Sequence, residues 1–168
     1  SSGIGRLAAD RLQQQGHRLT VICRSQQRAD QTLGWLTGES RLLLADLADL
    51  DQVQAIGQAL RERNDALDGL LLNAGLQYAG HRQVRWSAQG LELTIAVNHL
   101  AHQRLVMDLM PLLLRSGSPR LVITASEVHN PASGGGRVGR PAGLGDLSGL
   151  KKHSEMVNGE RPFDADKA

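Results

Sequence analysis

The sequence predicts an α/β fold built on a doubly wound parallel sheet. Three observations predict it. Helical and strand-like segments alternate strictly from residue 3 to residue 124. Each strand-like segment is short, apolar and without alternation, the pattern of a sheet covered on both faces. Most end in turns of small or polar residues, where such sheets hold their ligands.

The elements follow in order. Gly3–Gly16 reads as a helix, because Ile4, Leu7, Ala8 and Leu12 recur at helical spacing and Gly16 marks the stop. His17–Cys23 (HRLTVIC) reads as a short strand rich in branched residues. Ser25 is placed to cap a helix running through Leu36. Arg41–Ala45 is the second strand. Asp46–Asp49 opens a helix to about Arg63, with Leu50, Val53, Ile56, Gly57 and Leu60 on one face. Asp68–Leu72 (DGLLL) is the third strand, ending in Asn73, Ala74 and Gly75. A long helix is expected over Ser87–Leu114, and Arg120–Thr124 (RLVIT) is the fourth strand. The chain opens on a helix, so a strand is expected ahead of Ser1. From Glu127 to Ala168 the sequence reads as one long irregular segment, rich in Gly, Ser and Pro between Ala132 and Gly149. Irregular segments of that length are usually functional or mobile.

The 168 residues suit one domain, and 40% hydrophobic residues provide a core. Aromatics are 2%, so that core must be Leu, Val, Ile and Ala. A formal charge of +2 with scattered arginines is too small to argue for a membrane surface or for nucleic acid, and no nucleic-acid partner is expected. The one cysteine, Cys23, sits in an apolar run, which suits a buried thiol in a reducing, cytoplasmic compartment. No apolar run reaches the roughly 18 residues of a membrane span. No signal peptide is legible, and the chain opens without an initiator Met, which leaves a leader open.

The chemistry concentrates at the strand tips. Ser1-Ser2-Gly3-Ile4-Gly5 leads straight into a helix, where glycines admit a close pyrophosphate and free N–H groups face it. Ser2, Gly3, Ile4 and Gly5 are therefore candidate cofactor residues. Arg24 and Ser25 end the first visible strand, where an NAD site usually carries a carboxylate; an arginine there suits a 2′-phosphate. Asp46 and Leu47 end the next strand, where the carboxylate can accept from an adenine amino group or cap the helix. Asn73, Ala74 and Gly75 form a small-residue turn that lets the chain pass close to a ribose.

Taken together, SSGIG, Arg24, Asp46-Leu47, Asn73-Ala74-Gly75, Asn98 within VNHLAH and Ser126 ending RLVITAS resemble the short-chain dehydrogenase/reductase family, over essentially the whole chain. The resemblance implies a Rossmann fold, NADP as cofactor, and hydride transfer to or from a carbonyl, an alcohol or an activated double bond of a small molecule. It implies catalytic roles for Asn98, which holds a helix kink and a proton-relay water, and Ser126, which orients the reacting oxygen. It leaves a homo-oligomer open for the intact parent. The family's Tyr-x-x-x-Lys does not occur in this sequence, and the only tyrosine, Tyr78, follows the wrong strand for that role. The chain is thus expected to be a single partial NADP-binding domain, residues 1–168, with 127–168 on the substrate side, inactive by itself. An NADP-binding protein without catalysis and a plain interaction domain are the competing readings.

Several stretches are similar to the light-dependent protochlorophyllide reductase and retinol-dehydrogenase-like branch. They are Gly90-Leu91-Glu92-Leu93 before Asn98-His99-Leu100, then Leu144–Leu150 and Met156–Gly159. Leu72 stands where those reductases usually carry Cys, and Glu127-Val128-His129-Asn130 also departs from them. His99 and His102 lie at i, i+3 without a third ligand, so packing is expected and no metal. His129 lies near enough in sequence to Ser126 to touch substrate or to face solvent. Tyr78 is read as a pocket-wall residue, and Trp35 and Trp86 as core or rim packing.

Overall fold

The computed structural model describes residues 3–37, 40–63, 66–77, 83–127, 130, 132–134 and 147. The expectations for Ser2, Tyr78, His129 and the stretch from 135 onward, Leu147 apart, lie outside these residues. The described elements are α1 (Gly3–Gln14), β1 (Thr20–Cys23), α2 (Gln26–Leu33), β2 (Arg41–Leu44), α3 (Leu50–Arg63), β3 (Gly69–Leu72), α4 (Leu93–Ile95), a π turn (Ala96–Leu100), α5 (Ala101–Leu113) and β4 (Arg120–Ile123). This is the alternating order of a partial doubly wound α/β fold.

β1 and β2 pair in parallel, with Thr20 opposite Arg41 and Cys23 opposite Leu44. β3 and β4 do the same, with Gly69 opposite Arg120 and Leu72 opposite Ile123. The two pairs form separate two-stranded sheets among the described residues. One core joins them. Val53 and Ile56 of α3 and Leu105, Leu109 and Leu112 of α5 meet Ala45 and Leu72 at the strand ends, with Ile22, Leu43 and Leu70 packed against the cluster. Along β3 the pleat sends alternate side chains to opposite faces, so Leu70 and Leu72 meet the core while Leu71 stays 39% exposed.

Two expectations need correction. Among the described residues the strands are not covered on both faces: all four positions of β4 are exposed, and α1 has no buried residue, Ile4 being 73% exposed. The core cluster draws on α3 and α5 and takes no residue of α1, whose Ala8 and Leu12 are only partly buried. The long helix also begins later than Ser87. Residues 85–93 fold back on themselves, with Ser87 N–H donating to Leu91 O (2.8 Å) and Leu93 N–H to Arg85 O (2.9 Å). Gly90 turns the chain at φ +68°, which glycine adopts without strain. The fully buried Glu92 then starts the helix, its carboxylate accepting from Thr94 N–H (2.9 Å) and Ile95 N–H (2.8 Å).

The α3–α5 seam is the tightest contact between helices. Asp108 of α5 is buried against Gly57 of α3, whose missing Cβ would lie 2.7 Å from Asp108 Cβ and 2.8 Å from Oδ2. Its carboxylate is paired with Arg104 Nε at 2.7 Å and Arg61 Nη1 at 3.3 Å. A methyl group at residue 57 has to separate the helices or tear the carboxylate from its partners. Gly57→Ala is therefore expected to destabilise the fold by about 1–3 kcal/mol despite its better helix propensity. Urea denaturation checks this; a variant as stable as the parent would show that the seam is not close-packed.

Candidate active site

The helix α1 begins at Gly3, which sits at φ +58° with open space around its absent side chain. Two residues in, the reason for glycine changes. A Cβ on Gly5 would lie 2.6 Å from Asn73 Nδ2, so the start of α1 is seated directly on the turn that follows β3. Asn73 in turn accepts a hydrogen bond at Oδ1 from Thr124 Oγ1 (3.0 Å). Thr124 N–H donates to Leu72 O (2.9 Å), which carries the β3–β4 ladder one residue past β4. The glycine turn, the Asn-Ala-Gly turn and the strand tip leading to Ser126 are thus joined through one side chain. Ile4 between the glycines points to no core contact and is exposed.

Asn98 lies within the π turn, where the helix widens by one residue, a distortion common at functional sites. Its amide bonds both backbone groups of Leu76: Leu76 N–H donates to Oδ1 (2.8 Å) and Nδ2 donates to Leu76 O (2.9 Å). Gly75 passes beneath, and a Cβ there would sit 3.5 Å from Asn98 Oδ1, an ordinary contact. Asn98 therefore fixes the chain just beyond Asn73–Gly75. Periodicity carried no sign of Leu76 as a partner, because a backbone group is invisible in side-chain pattern.

The β1–β2 sheet sets the second cluster. Arg24 follows Cys23 and is exposed. Ser25 caps α2 with its hydroxyl accepting from Arg28 N–H (3.4 Å). Asp30 is bonded within α2 by Gln26 Nε2 at 2.7 Å. The Cys23 thiol is buried and lies 3.4 Å from Thr32 Oγ1. Arg6 of α1 stacks over the Trp35 ring at 5.4 Å from its centroid, which joins α1 to the end of α2. After β2, Asp46 closes a local turn, its Oδ1 accepting from Ala48 N–H (2.9 Å), and Leu47 packs against the core. Gln89 bridges to this corner: it accepts from Leu50 N–H (3.1 Å) and donates to Asp49 Oδ1 (2.9 Å). Hydrogen bonds from Gln89 and Gln52 hold the Asp49 carboxyl below the usual carboxylate range.

Ser126 is exposed, past the end of β4. The structure brings Asn73, Gly5 and Thr124 together, and Asn98 with Leu76, as two contacts on one turn. A further residue lies under them. His102, one helical turn past Asn98, is buried, and neither ring nitrogen has a hydrogen-bond partner among the described residues. Burial pushes its pKa down from the ordinary 6.5, His99 pushes the same way, and the Ala74 backbone opposes more weakly. The folded state thus favours the neutral ring of His102. Below the ordinary value of 6.5 the unfolded chain binds the proton first, so stability falls as pH drops. Replacing His102 by Leu is expected to flatten that fall as the pH drops through the ordinary value of 6.5 and below it. Urea midpoints across this range measure it, and an unchanged slope in the variant would assign the dependence elsewhere.

Among the described residues no helix is long and apolar enough to cross a membrane. The family model for short chain dehydrogenases matches residues 1–136. Protochlorophyllide reductase of Avena sativa is 34% identical over 180 aligned residues, which cover 100% of this chain and 58% of that protein. The chloroplastic protochlorophyllide reductase A of Oryza sativa is 34% identical over all of this chain and 46% of its own length. The chain therefore spans about half the length of the curated relatives it matches. Among solved structures, the Pseudomonas aeruginosa RhlG/NADP active-site complex superposes with a TM-score of 0.62 at 26% identity, over 79% of this chain and 54% of that one. A Shigella flexneri short chain dehydrogenase complexed with NADP gives 0.64 at 28%, over 83% of this chain and 58% of that one. With the family model over most of its length and relatives aligned along the whole of this chain, the chain belongs to the short-chain dehydrogenase/reductase family.

Proposed function

We propose that the intact protein is an NADP(H)-dependent oxidoreductase that moves a hydride between the cofactor and a carbonyl, an alcohol or an activated double bond of a small molecule. The observation that carries this reading is the seating of Gly5 on Asn73. A helix that starts with no side chain against a second small-residue turn offers free N–H groups and a positive dipole end to a pyrophosphate. Gly3, Ile4 and Gly5 would hold it, with Ser2 ahead of them. Arg24, exposed at the tip of β1, would take a 2′-phosphate, with Ser25 beside it. Asp30, the nearest acid, is already bonded to Gln26, which leaves no carboxylate committed to ribose hydroxyls at that tip. Asp46 and Leu47 would meet the adenine, and Asn73, Ala74 and Gly75 the adenosine ribose. The NADP named with the two structural neighbours supports the same cofactor.

NADPH supplies the hydride when bound, and this chain's residues supply position. Asn98 acts through Leu76, holding the Asn-Ala-Gly turn in place. Ser126 would orient the reacting oxygen by its hydroxyl. The sequence has no Tyr-x-x-x-Lys, so the family's proton donor is not among these residues, and residues 1–168 by themselves are expected to turn nothing over. A narrower reading, reduction of a chlorophyll precursor, is favoured by the protochlorophyllide reductases matched along the whole chain. Leu72 in place of the Cys usual there counts against it. The single buried cysteine suits a reducing compartment such as the cytoplasm, while the rice relative is named chloroplastic.

Cofactor titrations on the full-length protein test the reading. Arg24→Ala is expected to weaken NADPH roughly 10- to 100-fold, the size of a lost charged hydrogen bond, and to leave NADH little changed. Equal loss for both cofactors would remove the 2′-phosphate role. Absence of any NADP(H) binding by the unmodified protein would favour an interaction domain on this scaffold.

A further inference from the structure

We infer, on the cofactor-site reading above, that Thr124 is a positioning residue: its hydroxyl holds the Asn73 amide in place against the glycine turn. An asparagine amide rotates over a broad range about its last side-chain bond, and exchanging its ends swaps a donor for an acceptor. Here Thr124 Oγ1 donates to Asn73 Oδ1 at 3.0 Å. In this arrangement the carbonyl end faces Thr124, just past β4. The nitrogen end then lies against the start of α1, 2.6 Å from where a Cβ of Gly5 would stand. The partial positive charge of an NH2 group therefore sits beside the helix start proposed for an anion. The reversed amide would put a carbonyl oxygen there, facing that anion with like charge.

The backbone makes the arrangement specific to residue 124. Thr124 N–H donates to Leu72 O (2.9 Å), so the parallel register, carried one residue past β4, sets Thr124 beside Asn73. The same strand end leads to Ser126, so one hydroxyl ties the substrate-side strand tip to the cofactor turn. A valine at this position keeps the branched shape and strand preference and deletes only the hydrogen bond.

The test uses the full-length protein with Thr124→Val, Thr124→Ser, Asn73→Ala and the Asn73→Ala/Thr124→Val double variant. NADPH dissociation constants are read by nicotinamide fluorescence, with kcat and KM measured alongside. Thr124→Val is expected to raise the NADPH dissociation constant about 2- to 10-fold, the worth of one neutral hydrogen bond, with a smaller effect on kcat. Thr124→Ser is expected to restore it. The double variant should bind no more weakly than Asn73→Ala, because Thr124 acts through Asn73. Wild-type affinity in Thr124→Val, equal loss in the valine and serine variants, or additive losses in the double variant would each overturn the assignment. An unmodified protein that binds no NADPH would overturn the cofactor reading, and this role with it.

Discussion

The amide of Asn98 bonds both backbone groups of Leu76, and the geometry of the candidate site follows from that pair. A side chain that satisfies an N–H and a C=O on the same residue holds it in distance and in rotation. Leu76 directly follows Asn73, Ala74 and Gly75, so the turn after β3 is anchored at its far end by Asn98 and at its near end by the ladder to β4. Asn73 then has one place to go, between Gly5 and Thr124. The π turn matters here because it adds a residue to the helix where Asn98 stands, and so sets where that amide reaches.

Behind the site, three buried polar residues lie on the helices that carry it, and their surroundings differ. Glu92 gives both carboxylate oxygens to the first N–H groups of the helix leading to Asn98. Asp108 gives its carboxylate to two arginines that keep part of their surface in water, so only one member of the cluster bears the full desolvation cost. His102 has no hydrogen-bond partner among the described residues, and burial favours its neutral ring. Glu92 and His102 lie on either side of Asn98 in the chain, so the segment bearing Asn98 is entered from a fixed cap and left through a buried ring.

Much of the fold was legible in the sequence because hydrophobic period is a local property. Val53, Ile56 and Gly57 fall on the buried face of α3, as their spacing predicted, with Leu50 and Leu60 partly buried beside them. The helix start was misread at Ser87 for a physical reason. Serine is a common cap and glutamate a rare one, so the pattern favours Ser87, yet Glu92 is the residue whose burial lets it cap. Coverage of the sheet was misread too: an apolar strand such as RLVI states what a side chain prefers, and β4 is exposed among the described residues all the same.

By itself the sequence determined the alternating α/β order, the apolar faces and the small or polar residues that end each strand. These depend on neighbours a few positions apart, and a chain carries such information in its pattern. Only the tertiary structure decided that Gly5 must be glycine because of Asn73, that Asn98 reaches Leu76 across 22 positions, and that Thr124 meets Asn73 across 51. Contacts of that separation exist only once parallel register and helix packing have set the distances, and no local pattern encodes a distance between strands.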